Sequence, residues 1–202
     1  MKRIEGVREF RLKSTKAATR AAADTPTIFQ ENRQPKSGTF IAIPEVSSGN
    51  RRYVPMGFMD SNTVPSNKIQ IIADANLYHF GILNSNVHNS WVRIVCGRLK
   101  SDYDYSNKVV YNNFPWPTPT DKERAAIEKT AQAILNAREL YSESSLALLY
   151  DPVAMPPELL KAHRANDKAV MQAYGFWGKL NSESECVAEL MKMYEELTNN
   201  EK

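Results

Sequence analysis

The sequence has little that supports catalysis. Its eight glycines are scattered, at Gly6, Gly38, Gly49, Gly57, Gly81, Gly97, Gly175 and Gly178. Neither a GxGxxG turn nor a phosphate-cradling loop is encoded, which excludes a dinucleotide or nucleoside triphosphate site. The glycine-rich turn with which a methyltransferase holds its methyl donor is missing too. The three histidines, His79, His88 and His163, have no Cys or carboxylate at zinc-site spacing. No Ser/His/Asp or Cys/His order stands out. We therefore expect no catalytic residue, no metal and no cofactor in this chain. Cys96 and Cys186 are far apart, so a disulfide framework is not expected and a reducing cytoplasm is the default compartment. No apolar run is long enough to cross a bilayer, and the start "MKRIEGVREFRLKS" lacks the apolar core of a signal peptide.

What is present is an ordinary globular composition. The 202 residues are 42% hydrophobic and 24% charged, enough for one large or two small domains. The net charge of +3 is unevenly placed. Residues 1–117 hold 16 Lys+Arg against 9 Asp+Glu, and residues 118–202 hold 10 against 14. A basic first part joined to an acidic second part points to an anionic partner for the first. The break falls at "FPWPTPT", where Pro115, Pro117 and Pro119 cannot sit inside a regular element. The expected organisation is a mixed domain over 1–117 and a helical one over 118–202.

In the first part, "STKAATRAAAD" (14–24) predicts a short helix with Ser14 at its N-cap. "TFIAIPEV" (39–46) and "RRYVPMGFM" (51–59) predict a hairpin around "SSGN". "KIQIIA" (68–73) and "LYHFGIL" (77–83) predict a second strand pair, and "KVVYNNF" (108–114) a further strand. Between them, Val87, Trp91, Ile94, Val95 and Leu99 fall at helical spacing over 85–99. In the second part, Thr120 with Glu123 and Ser182 with Glu185 are capping boxes, and Pro157 and Gly175 bracket another helix. The fold class is α+β: β-hairpins and an amphipathic helix, followed by three helices. The Met and Tyr residues of the last helix are read as core.

The remaining chemistry is polar and basic. Arg51 and Arg52 flank a Ser/Gly/Asn turn that can offer cations and N–H groups to phosphates. Arg93, Arg98 and Lys100 cluster after Trp91. Lys100, Asp102 and Asp104 are each two apart, so in an extended segment they share a side. Lys can donate to guanine O6 or N7, and Asp can accept from the cytosine amino group, so such a set can read a base pair. The spacing alone fits a charged solvent-facing edge better. "NNFPWP" lacks the paired prolines after an amide that hold a flipped base in adenine methyltransferases, and "MPPE" reads as a helix start.

Three stretches resemble the C-terminal region of MmeI-like enzymes, single-chain restriction–modification proteins and related DNA adenine methyltransferases. They are "IAIPEVSSGNRRYVPMGF", "NLYHFGILNSNVHNSWVRIVCGRLKSDYDYSNKVVYNNFPWP" and "LYDPVAMPPELLKAHRANDKAVMQAYGF". The resemblance runs from about Phe10 to about Leu197. It implies a target recognition domain followed by a helical segment, with the methyl-donor pocket, which takes S-adenosylmethionine, and the Asn-Pro-Pro-Tyr loop lying upstream in the parent enzyme. It further implies that Lys100 and Asp102 match a base-reading pair, that Asp104 matches a nearby reader, and that Glu45 and Lys68 match readers on other strands. Members commonly carry a basic residue where this chain has Asp104. Ser47, Ser48, Arg51 and Arg52, with Arg93 and Arg98, are the implied DNA backbone contacts. The implied partners are double-stranded DNA and an upstream methyltransferase domain or subunit. The alternative is a protein-interaction module whose acidic helices dock such a subunit.

Overall fold

A computed structural model describes residues 1–200. It divides into two compact units, residues 1–34 and the chain from Pro35 onward. The first unit holds α1 (Lys2–Leu12), α2 (Ala17–Ala21) and a 3-10 turn (Ala22–Asp24). Two arginines tie it together. Arg11 donates to the carbonyls of Ala22, Thr25 and Ile28 at 2.7–2.8 Å, and Arg20 donates to those of Ser14 and Thr15 at 2.8 Å. The helix expected from Ser14 starts at Ala17. Ser14 Oγ accepts from Lys16 N–H at 3.2 Å, a local turn that competes with extending the helix backwards.

The second unit contains two small antiparallel sheets. In the first, β1 (Thr39–Pro44) lies between β3 (Gly57–Asp60) and β4 (Ile69–Ala73), with Thr39 opposite Asp60 and Phe40 opposite Ala73. In the second, β6 (Asp102–Asp104) lies between β2 (Val46–Ser47) and β5 (Gly97–Leu99). The expected hairpin partner of β1 over 51–59 is a strand only at Gly57–Asp60. Its earlier apolar residues, Tyr53, Val54 and Met56, are buried without a ladder, and Asn89 Oδ1 accepts from Val54 N–H at 2.8 Å in place of a strand partner.

Two further expectations are corrected. "LYHFGIL" is α3 (Leu77–Leu83), not a strand. Asn76 Oδ1 accepts from the N–H groups of Tyr78 and His79 at 3.1 and 3.3 Å, and His79 Nδ1 accepts from Asn76 N–H at 3.3 Å, a capping box without Glu. Tyr78 and Phe80–Leu83 are all buried, so no polar face marks the helical period, and a short apolar run reads equally as a strand. Residues Asn107–Tyr111 form one wide helical turn rather than a strand, with Val110 buried and its carbonyl accepting from Trp91 Nε1–H at 3.0 Å.

The remaining helices are α4 (Asn86–Val95), α5 (Asp121–Glu139), α6 (Leu146–Leu149), α7 (Pro157–Ala173) and α8 (Glu183–Asn200). Ser85 caps α4, Thr120 and Glu123 form their box at α5, and Gly175 follows α7 with φ 68°. At α8, Ser182 Oγ accepts from Glu185 N–H, while Glu185 reaches back to Asn181 N–H. α4 stops at Val95, which leaves Leu99 on β5 exposed. One cluster of buried residues continues across the proline segment, from Ile41, Phe80 and Trp91 to Ile127, Leu159 and Leu190. Its tightest point is Gly81, where a Cβ would lie 2.6 Å from Ile127 Cγ2 and 3.3 Å from Ala131 Cβ. The proline segment is packed as well. The Trp116 ring meets Phe114, Tyr111 and His79 edge-on at centroid distances of 5.5–5.8 Å, and the Pro115 carbonyl accepts from Tyr174 Oη–H at 2.8 Å.

Candidate nucleic-acid interface

Strand β6 organises the polar face. Tyr103 points inward and is 5% exposed, so Asp102 and Asp104 project from the opposite side. Leu99 pairs with Asp102, leaving Lys100 and Ser101 as a two-residue connection. Lys100 has φ 58°, a left-handed conformation uncommon for a residue with a Cβ but usual at this point of a tight hairpin. Lys100 is thus on a turn, and only Asp102 and Asp104 share a strand.

Glu45 and Lys68 come to the other end of β6. Val46 pairs with Asp104, and the Glu45 carbonyl accepts from Tyr105 N–H at 2.6 Å. Glu45 N–H donates to the Lys68 carbonyl at 2.9 Å, and Lys68 Nζ donates to Glu45 Oε1 at 2.7 Å. The Glu45 carboxylate, with Asp104 nearby, raises the Lys68 pKa above its ordinary value. Glu45, Lys68, Asp104, Asp102 and Lys100 therefore sit around one short sheet, although they are separated by up to 59 positions in sequence.

The arginines divide. Arg98 lies over the Tyr103 ring at 4.1 Å and donates to the carbonyls of Ser101 and Arg93, so it lies against the β5–β6 hairpin. Arg51 and Arg93 are drawn toward the second half of the chain, and Arg52 toward Tyr53. Arg51 Nη2 donates to Ala147 O at 3.4 Å, and Arg52 Nε donates to Tyr53 Oη at 3.1 Å. Arg93 donates to Arg52 O at 2.5 Å and pairs with Glu183 at 3.1 Å. These three line a cavity of about 400 Å³ together with Gly49, Tyr150 and Glu183. Ser48 Oγ accepts from Asn50 N–H, and Ser47 is turned inward at 2% exposure.

Behind this face lies a buried polar network with no signal in the sequence spacing. Asp167 accepts from Tyr53 Oη–H at 2.6 Å and from Asn86 N–H at 2.7 Å. Both bonds favour its charged form, yet burial outweighs them and raises its pKa to about 6. Arg138 donates to Met56 O at 2.7 Å, to Asn84 Oδ1 at 3.3 Å and to Tyr150 Oη. His163 Nε2 meets Tyr150 Oη at 2.7 Å, and its Nδ1 faces Asn84 O at 3.2 Å. A carbonyl only accepts, so Nδ1 carries the proton and Nε2 accepts. Burial, with Arg138 nearby, lowers the His163 pKa to about 3, and burial does the same for His88, whose Nε2 meets Tyr105 Oη at 3.0 Å. The network ties the loop before β3 and the end of α3 to α5 and α7. Most of its polar groups are spent on one another, so it braces the fold, although Asn86 Oδ1 and His88 Nδ1 are buried without a partner.

Comparison with known proteins places this geometry. The family model described as MmeI, target recognition domain, matches residues 1–118, and that described as MmeI, C-terminal domain, matches residues 119–201. DNA methyltransferase A of Bacillus subtilis (strain 168) is 40% identical over 196 residues, which is 97% of this chain and 22% of the relative. A solved structure of the Type IIL restriction-modification enzyme MmeI in complex with DNA superposes with a TM-score of 0.90 at 48% identity, over 98% of this chain and 26% of that one. The chain thus spans about a quarter of the length of these relatives.

Proposed function

The chain belongs to the MmeI family, as its target recognition and C-terminal domains, and from that premise we propose that it is a sequence-specific double-stranded DNA recognition module of a DNA adenine methyltransferase of the restriction–modification class. Residues 1–117 read the duplex and residues 118–202 brace the reader. Methyl transfer from S-adenosylmethionine belongs to an upstream domain or subunit, and this chain is inert alone.

The observation that carries the reading is the face built on β6. Asp102 and Asp104 lie two residues apart on one side of a strand, a separation of about 6.6 Å. That is close to two base steps of about 3.4 Å along a duplex. A β-ribbon of this width fits a major groove. Lys100 at the turn supplies donors, the carboxylates supply acceptors, and Glu45 with Lys68 supplies one of each. In this reading Lys100 and Asp102 read one base pair, and Asp104, Glu45 and Lys68 read neighbours. Arg98, Ser48 and the Arg51–Arg52 turn follow the phosphates, with Ser47 and Arg93 shaping the segments that present them.

Selection of duplexes from a randomised pool by this chain, followed by sequencing, tests the reading. A defined motif is expected, with binding that weakens steeply with salt. Exchanging Lys100 and Asp102 together for another donor–acceptor pair is expected to change the preferred base pair at one position. A change of affinity without a change of preference would remove the base-reading assignment. Retention of a methyltransferase subunit after nuclease treatment, with no DNA binding at low salt, would favour a docking role instead.

A further inference from the structure

We propose that Gly49 is a positioning residue for base reading: its missing side chain lets the 48–50 turn press against the reading hairpin, and its N–H sets the orientation of the Asp102 carboxylate. The inference rests on Asp102 being a base reader.

Gly49 has no unusual φ, so its backbone conformation is open to any residue; space is what excludes a side chain. A Cβ there would lie 2.5 Å from the carbonyl oxygen of Ser101 and 3.4 Å from Arg98 Nη1. The near neighbour is backbone, held at the tip of a paired hairpin, so it cannot swing away as a side-chain end would. This close approach brings Gly49 N–H to 3.3 Å from Asp102 Oδ1, and the Gly49 carbonyl to 3.5 Å from Tyr103 Oη, which donates to it. Arg98 closes the same corner, with Nη1 donating to Ser101 O and its guanidinium over the Tyr103 ring.

The consequence is a division of labour within one carboxylate. Oδ1 is held by the turn, which leaves Oδ2 to accept from a base amino group. A carboxylate free to rotate samples several rotamers, and ordering it on binding costs part of the discrimination that a fixed acceptor delivers. The same contact anchors the Lys100–Ser101 connection, whose left-handed Lys100 aims the other reader of the pair. A donor–acceptor pair on β5–β6 therefore depends on a turn about fifty positions away in sequence, between β2 and β3.

The test uses the whole chain and a panel of duplexes varied one base pair at a time. For Gly49→Ala, discrimination at the base pair read by Lys100 and Asp102 is expected to fall about tenfold. Discrimination at the base pairs read by Glu45 and Lys68 should stay unchanged. Asp102→Ala should lose preference at the same position, and the double variant should lose no more than Asp102→Ala alone. Full retention of discrimination in Gly49→Ala, beside its loss in Asp102→Ala, overturns the inference and leaves the reading intact. No loss of preference in Asp102→Ala overturns the reading itself and the inference with it. A second measurement does not depend on how Gly49→Ala folds. Amide hydrogen exchange at Gly49 should accelerate several-fold in Asp102→Ala relative to the unsubstituted chain, and an unchanged rate overturns the proposal.

Discussion

Two polar regions of this molecule have similar composition and opposite physics. Around β6, Lys100, Asp102, Asp104, Glu45 and Lys68 are exposed or half-buried. In the junction network, Arg138, His163, Asp167 and Asn84 are at most 9% exposed. The first leaves most of its donors and acceptors open to solvent, apart from the Lys68–Glu45 pair and the Gly49 bond to Asp102. The second spends nearly all of its own internally. A charged group in water loses little when a neighbour is removed, because solvent replaces it. A buried one leaves every partner orphaned in a dry site. Substitutions on the proposed reading face should therefore move sequence preference with little effect on stability, and those in the network should do the reverse.

The largest effect expected is for Arg138→Ala. It strands Met56 O and Asn84 Oδ1 and leaves Tyr150 Oη with His163 alone, and about 3 kcal/mol of stability should be lost in urea unfolding. A loss under about 0.5 kcal/mol, the range of ordinary surface substitutions, would break the contrast. Gly81→Val should cost about 1–3 kcal/mol by overpacking, since α5 leaves no room for a side chain there.

Acidity separates the regions differently. His88 and His163 stay neutral in the fold down to about pH 3, while in the unfolded chain they take up protons near 6.5. Their contribution to stability is complete above pH 6.5 and is lost as pH falls toward 3. Asp167 acts in the opposite sense, because its folded pKa of about 6 exceeds the ordinary 3.8 and its ionisation costs stability as pH rises from about 4 to 6. Two histidines against one carboxyl leave stability rising with pH between 4 and 6. His163→Gln should lower that slope, as read from urea midpoints at several pH values.

The exchange of Lys100 and Asp102 is expected to alter discrimination by about 1–3 kcal/mol at one base pair, while stability stays within about 0.5 kcal/mol. The smallest effect is for Arg51→Ala, which should weaken all duplexes about equally and reduce the slope of binding against salt by about one charge. A base-specific loss there would move Arg51 from the backbone set to the readers.

Much of the second half of the chain was legible from local chemistry. The Thr120–Glu123 box, Pro157 and Gly175 act within one helical turn, so a few adjacent residues are sufficient to mark the ends. α4 was legible because its apolar residues recur at helical spacing beside polar ones. α3 was not, because full burial erased the alternation that marks a helix. Nor was the wide turn over 107–111, whose valines look like a strand and whose conformation depends on Trp91 bonding the Val110 carbonyl. Around β6, the residue types and their spacing two apart were visible, and family resemblance turned them into candidate readers.

By itself the sequence determined the α+β class, the missing methyl-donor and phosphate loops, and the charges at Lys100, Asp102 and Asp104. Each depends on groups within a few positions of one another. Only the tertiary structure decided that Lys100 stands on a turn, that Glu45 and Lys68 face each other beside Asp104, and that Arg51 and Arg93 lean toward the helical half. It alone brought Gly49 against Ser101. These arrangements depend on sheet register and on which backbones approach closely enough to exclude a Cβ. Both are set by packing between segments tens of residues apart.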